Sequence, residues 1–339
     1  MSPSSSPSDA PATDIVQGAV STVRPSFDDH LLLTEDEAAH ARFCFLGEFG
    51  YELVSWIPYL LFLRETLGIR LRTLGRPGSS VIYYFSNDHV EVDSSYIGGC
   101  WGDPLAYARL ADLYPTDLLV CPGRQSGTLV NRRRIEVGGH RWTTVDIHRS
   151  IDETNYVKPD YSHIQPWSPI AGLAIVVINN KYLVQWEDRY HRPINFFDPD
   201  ALRSLRDLFL ENGYGVVYNH FVEQTAIDDH LALADTELFG IDDATFDMRA
   251  IYADCASPAE RNERQISLYN SADLVVAPQG GNVYIPAICG RHLCMIMRDG
   301  DYLDYLELAR LYDIDLDVFY EPRHMLTWLA AWLSNGDRA

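Results

Sequence analysis

Five short apolar runs recur in the second half of the chain: "LAIVVINN", "GVVYNH", "DLVVAPQGG", "HLCMIMRDG" and "IDLDVFYEP". Near-continuous Val, Ile and Leu at this length describe strands buried on both faces, because a strand with one wet face alternates instead. Interleaved with them are stretches of helical spacing. "DPDALRSLRDLFLENGYG" has Asp198 or Asp200 near its start and Gly213 after it, and "SPAERNERQISLYNSA" offers Ser257 as N-cap and Pro258 at the first helical position. "NVYIPAICG", "DYLDYLELARLYD" and "RHMLTWLAAWLSNG" supply three more helices. A chain that alternates strand and helix in this way builds a parallel sheet with helices on both faces.

The same alternation begins earlier. "RFCFLG" reads as a buried strand, and "YELVSWIPYLLFLRETLG" as a helix with Leu53, Trp56, Leu60 and Leu63 near one face. Pro58 lies inside that helix, which therefore starts there or bends, and Gly68 suits its C-terminal cap. "SSVIYYFSND" is expected to be a second strand, "DPLAYARLADLYP" a helix and "TDLLVCPG" a third strand. "RRRIEVGGHRWTTVDI" fits a hairpin turning at Gly-Gly, and the Pro-rich "KPDYSHIQPWSP" fits a linker. A length of 339 residues suits about two domains. The expected division is a disordered Ser/Pro-rich tail over 1–25, a Rossmann-like unit over 26–167 and a second over 168–339. The fold class is α/β, two facing doubly wound domains, with ligands expected beyond the carboxyl ends of the strands.

Composition narrows the function. The formal charge is −21, from 27 basic and 48 acidic residues. A phosphate backbone or an anionic membrane surface calls for the opposite balance, so neither nucleic acid nor membrane is an expected partner. A small anionic ligand stays compatible, because salt screens distant charges beyond about 10 Å. The six cysteines (Cys44, Cys100, Cys121, Cys255, Cys289, Cys294) form no CxxC pair and sit mostly in apolar runs, which reads as reduced thiols. No apolar stretch reaches the about 18 residues of a membrane span. "MSPSSSPSDAPATD" lacks a basic region and an apolar core, so it is not read as a signal peptide, and the expected location is the cytoplasm.

Four loops at expected strand exits carry unusual residues. In "GEFGYE", Gly47 and Gly50 frame Glu48 and Phe49, and Glu52 lies one helical turn beyond Glu48. Either acid suits a general base, and either suits a helix start. In "INNKYLVQWEDRYHRPINFF", Asn180 and Lys181 end a buried strand, with Arg189 and Arg192 behind them. That cationic cluster fits a phosphate or diphosphate, or an ordinary solvated loop. In "YNHFVEQ", Asn219 and His220 leave the next strand, and His220 suits acid/base or phosphate contact as well as a structural role. In "VVAPQGGNVYIPAICG", Gln279, Gly280, Gly281 and Asn282 join a strand to a helix. Amides at a helix N-terminus with no Cβ in the way make an anion site, and a plain tight turn would use the same residues.

Several chemistries lack their motifs. There is no GxGxxG, GxxxxGK[ST], HExxH, paired-Cys zinc pattern or GxSxG. No metal site is expected, and "DIDLD", Asp313 to Asp317, reads as an ordinary strand.

Taken with the two-domain alternation, "GEFGYELVSWIPYLLFLR" and "SADLVVAPQGGNVYIPAICG" resemble the GT-B glycosyltransferases, specifically those of the polysaccharide-biosynthesis and heptosyltransferase type. The resemblance spans residues 40 to 335 in architecture and two or three short stretches in sequence. It implies transfer of a sugar from a nucleotide-diphosphate sugar to a glycan or small-molecule acceptor, with no cofactor or metal needed for the chemistry. It further implies that Gly280, Gly281 and Asn282 hold the diphosphate or ribose, and that Lys181, Arg189 and Arg192 offset its charge. Glu48 takes the position where inverting members place a base, and Gly47, Phe49 and Gly50 lie on the acceptor side. The acidic residue that usually contacts the ribose is not evident after the Gly-rich turn. Three rivals share the architecture: a polysaccharide pyruvyl transferase, for which Arg291 and His292 come late after the turn; a sugar-phosphate epimerase, for which Glu223 with His220 is the available pair; and a non-catalytic binding module.

Overall fold

The computed structural model describes residues 35–45, 49–93, 104–122, 132–137, 140–145, 156–180, 195–220, 235, 237–298 and 303–335. Two six-stranded sheets organise the chain. The first holds β1 (Ala41–Cys44), β2 (Arg72–Gly75), β3 (Asp88–Glu91), β4 (Leu118–Pro122), β5 (Arg132–Val137) and β6 (His140–Val145), in the order β3-β2-β1-β4-β6-β5. All its pairs are parallel except the edge hairpin β5–β6, where the Cα of Ile135 pairs with that of Trp142.

The second sheet holds β7 (Ile175–Asn180), β8 (Gly215–His220), β9 (Thr245–Asp247), β10 (Ala272–Pro278), β11 (His292–Ile296) and β12 (Leu316–Phe319). Its order, β12-β11-β10-β7-β8-β9, is wholly parallel. Counted from its own first strand this is the 3-2-1-4-5-6 order of dinucleotide-type folds, which reverses between the first and fourth strands. In both sheets the two strands flanking the reversal, β1/β4 and β7/β10, are direct neighbours. Every residue of β7 and β8 is buried.

Helices cover both faces. A helical turn Phe49–Tyr51 and a π turn Glu52–Trp56 lead into α1 (Ile57–Glu65). Pro58 cannot donate to the preceding turn and its ring crowds it, so the chain bends through the wider π turn rather than starting at Pro58. Then follow α2 (Pro104–Leu113), α3 (Pro199–Glu211), α4 (Arg249–Asp254), α5 (Pro258–Tyr269), α6 (Gly281–Ile288), α7 (Leu303–Tyr312) and α8 (Pro322–Asn335). The expected caps form: Asp198 Oδ1 accepts from the Ala201 amide at 2.8 Å and Ser257 Oγ from the Glu260 amide at 3.2 Å.

Two readings are corrected. "SSVIYYF" is not a strand: Ser79–Val81 is one 3-10 turn followed by further turns that drop Ile82, Tyr83 and Phe85 into the core. The strands of that region are the polar "RTLG" and "DHVE", which lack the apolar signature because ion pairs line them. Arg42 and Arg72 both bridge Asp88 and Asp117. In "DIDLD" the strand starts only at Leu316, since Asp313 has a left-handed φ of 50°.

The two sheets share one core. Phe43, Phe45, Trp56 and Leu60 of the first half belong to the same buried cluster as Val275, Ala277, Val283 and Met295 of the second half. A second cluster fills the outer face of the second sheet beneath α3 and α8. The linker from Tyr156 to Ala174 is irregular and stapled to both halves. Its Val157 amide donates to Pro58 O at 3.2 Å and its Trp167 amide to Ser267 O at 3.0 Å. Among the described residues no helix is long and apolar enough to cross a membrane. Cys44, Cys121, Cys255, Cys289 and Cys294 are free thiols, and Cys100 lies outside the described residues.

Candidate functional site

The carboxyl ends of β7, β8 and β10 bring Asn179, Asn180, Asn219, His220 and Gln279 to one edge of the second sheet, around the reversal of strand order. Doubly wound folds form their ligand crevice at this point.

Gln279 shapes the turn. Its amide donates to Ile296 O at 2.8 Å, its side-chain Oε1 accepts from the Arg298 amide at 2.7 Å, and its carbonyl accepts from Asn195 Nδ2. Gly280 follows with φ 106° and ψ −152°, a conformation essentially reserved for glycine. α6 then begins with no side-chain cap. Gly281 is exposed, and a Cβ built there meets nothing within 4 Å among the described residues. The first amides of an uncapped helix carry a partial positive charge and lack intrahelical partners, so this turn is suited to an anion. Asn282 lies in the first turn of that helix.

The two asparagines that end β7 face opposite sides of the sheet. Asn180 is bound to the chain that follows: its Nδ2 donates to Phe197 O at 3.0 Å and its Oδ1 accepts from the Phe197 amide at 2.9 Å. Asn179 and Asn219 join a buried network on the inner face. Asn219 Nδ2 donates to Asn179 Oδ1 at 3.0 Å, while Tyr269 and Tyr252 donate to Asn179 Oδ1 and Asn219 Oδ1, each at 2.9 Å.

His220 is buried beside Asp235, with Nδ1 2.6 Å from Oδ2. A carboxylate only accepts, so Nδ1 carries the proton of this bond. Tyr218 OH donates to the same carboxylate, and Arg249 lies 3.5 Å from its other oxygen while also pairing with Asp247. Burial alone would raise the Asp235 carboxyl; the His220 and Tyr218 hydrogen bonds and the charge of Arg249 hold it below the usual range.

Across from this edge lie the ends of β1 and β2. Gly47 and Glu48 fall outside the described residues, as do Lys181, Arg189, Arg192 and Glu223. Phe49 stacks under Arg76, whose Cζ is 5.4 Å from the ring centre. Gly50 is buried against Tyr284 of α6. Glu52 is fully buried: Tyr83 OH donates to its Oε1 at 2.8 Å and Arg76 Nε lies 3.2 Å from its Oε2. Burial raises its carboxyl above the ordinary range against the pull of Arg76 and Tyr83. Its charge is thus spent inside the first half of the molecule.

The structure adds Arg76, Asn179, Asp235 and Arg249 to this region. Arg76 follows a polar strand and was invisible without it. Asp235 is separated from His220 by fourteen residues of no periodic signal. Arg291 and His292 stand at the amino end of β11, on the edge opposite the turn. Among the described residues no group of three His, Cys, Asp or Glu could hold a metal ion.

No protein-family model and no curated protein matches this sequence. Solved structures match its shape. The E. coli ADP-heptose lps heptosyltransferase II superposes with a TM-score of 0.53 at 8% identity, covering 87% of this chain and 99% of that one. The E. coli heptosyltransferase WaaC with ADP gives 0.51 at 12% identity, covering 87% and 98%. The chain therefore has the two-domain α/β fold of the GT-B glycosyltransferases.

Proposed function

We propose that the chain is a glycosyltransferase that moves a sugar from a nucleotide-diphosphate sugar to a glycan or small-molecule acceptor, without a metal in the chemistry. One observation carries this reading. An uncapped helix opens on a glycine turn at the strand-order reversal of the second sheet, in a fold shared with sugar-nucleotide transferases. The amides of Gly281 and Asn282 would receive the diphosphate, with Gly280 keeping the backbone clear and Gln279 holding the turn. Lys181, Arg189 and Arg192 would neutralise the leaving group. Glu48 is assigned as the base that takes the acceptor's proton as its oxygen attacks the anomeric carbon and the sugar–diphosphate bond breaks. Glu52 is a poorer base, being buried and paired. His220, oriented by Asp235, borders the donor, with Asn180 and Asn219 framing its floor. The free thiols fit the reducing cytoplasm. The pyruvyl-transferase rival loses support, since Arg291 and His292 lie on the wrong edge.

Thermal shift against nucleotide diphosphates and nucleotide sugars, with magnesium or EDTA, tests this. A ligand specific to the native state stabilises by about 2.7 kcal/mol at a hundredfold over its Kd. A shift with one nucleotide class, indifferent to EDTA and lost in Lys181→Ala, is expected. No shift with any of them sinks the nucleotide-sugar reading.

A further inference from the structure

Gly50 and Gly280 belong to different halves of the molecule, yet two aromatic rings connect them. A Cβ at Gly50 would lie 2.5 Å from Tyr284 Cε2 and 2.9 Å from Cδ2, so the glycine exists in contact with that ring. Tyr284, on α6, stacks on Tyr305 of α7, with centroids 6.4 Å apart and planes 13° from parallel. Tyr305 OH in turn accepts the Gly280 amide hydrogen at 3.2 Å. Gly50 and Tyr305 are buried, and Tyr284 packs against the shared core.

The geometry points to Tyr284 and Tyr305 as positioning residues that set the Gly280 turn against the first half's loop, so that a shift on one side moves the other. The purpose of the coupling rests on the function proposed above: Gly50 stands two residues after Glu48 in the chain, and Gly280 opens the turn assigned to the diphosphate. A base and a leaving group on separate domains must keep a fixed distance for in-line transfer, and misplacement by about 1 Å can lower a rate by a hundredfold. Close-packed aromatic contacts transmit such displacements because an interior has little free volume to absorb them. The chain of contacts is short: one ring edge against a Cα, one ring face, one hydrogen bond. Neither tyrosine has to touch the substrate for this.

Amide hydrogen exchange on the whole protein decides the coupling without any ligand. Gly50→Ala forces Tyr284 aside and is expected to speed exchange about tenfold at the hydrogen-bonded amides of Gly280 and Val283, while α8 amides stay as in the parent. In a Tyr284→Leu background, where the relay is cut, Gly50→Ala should add nothing at Gly280. Should Gly50→Ala fold poorly, Tyr305→Phe keeps the ring and deletes only the acceptor, and is expected to speed Gly280 exchange about fivefold. Unchanged exchange at Gly280 in Tyr305→Phe, or an equal Gly50→Ala effect with and without Tyr284, would overturn the relay. ADP and other nucleotide diphosphates are then titrated by calorimetry into parent and Tyr305→Phe. Weaker binding in the variant supports the purpose assigned to the relay. Absence of binding by the parent removes the nucleotide reading and leaves the exchange result to judge the coupling.

Discussion

His89 lies between two hydroxyls, with Nδ1 2.8 Å from Thr73 Oγ1 and Nε2 2.9 Å from Ser79 Oγ, and its ring stacks on Tyr83 at 4.7 Å. Burial disfavours the imidazolium, against the pull of Glu91 and Asp88, and pushes its pKa down from 6.5 to about 4. The unfolded chain therefore takes up this proton first as pH falls. Stability from this site is complete above pH 6.5 and is lost between 6.5 and 4, by about 3 kcal/mol in all. His89→Gln should flatten that part of the stability curve, as read from urea midpoints at pH 7 and pH 4.5. Parallel curves for parent and variant would mean that His89 titrates normally. Glu52 poses the complementary case. Arg76→Ala leaves its carboxylate buried with only Tyr83, and breaking a buried pair by removing one partner costs about 3 kcal/mol. Glu52→Gln, which keeps a partner for Tyr83, should lose less. Equal losses in urea denaturation would show that the pair contributes no more than the hydrogen bond.

Among the elements, the N-terminus of α6 joins a glycine-only backbone to the proposed anion site. Gly280→Ala forces a side chain into φ 106°, ψ −152°, which costs at least about 1–3 kcal/mol and displaces the amides beyond it. Ser257→Ala removes an ordinary N-cap from α5 for about 1 kcal/mol. The two losses should separate in function: nucleotide binding falls with Gly280→Ala and survives Ser257→Ala at a temperature where both are folded. If both variants bind as the parent does, the turn is structural only. The same contrast explains what a sequence can disclose. Strands β7, β8 and β10 were readable because burial on both faces selects an apolar run through the middle of each. β2 and β3 were not, because Arg72 and Asp88 spend their charges on partners that come from distant parts of the chain. β9, with three residues, is too short to show a period. At the candidate site the glycine turn was legible, since glycine after an apolar run has few uses. The Asp235 partner of His220 and the tyrosines behind Gly280 were not, since contacts between distant residues leave no local pattern.

For the whole molecule, the shared core bears on how the two halves behave. Two units joined only by a linker would move and melt separately. Here Val275, Ala277 and Met295 of the second sheet pack in one cluster with Phe43, Trp56 and Leu60 of the first half. Polar ties cross the same boundary: Asn262 Nδ2 donates to Gly78 O at 2.9 Å, Tyr312 OH to Leu53 O at 3.4 Å, and Asn270 Nδ2 to the linker carbonyls of Tyr161 and Ile164. Separating the halves would expose the apolar side of both and leave these groups without partners, at about 25 cal/mol for each Å² uncovered. The chain should therefore unfold in one calorimetric transition whose van't Hoff and calorimetric enthalpies agree. Asn262→Ala, which weakens only the boundary, should lower that single Tm without splitting it. Two endotherms in the parent, or a first endotherm split off by Asn262→Ala, would mean that the halves are thermodynamically separate. The relay through Tyr284 and Tyr305 would then have to hold the site together across a boundary that opens on its own.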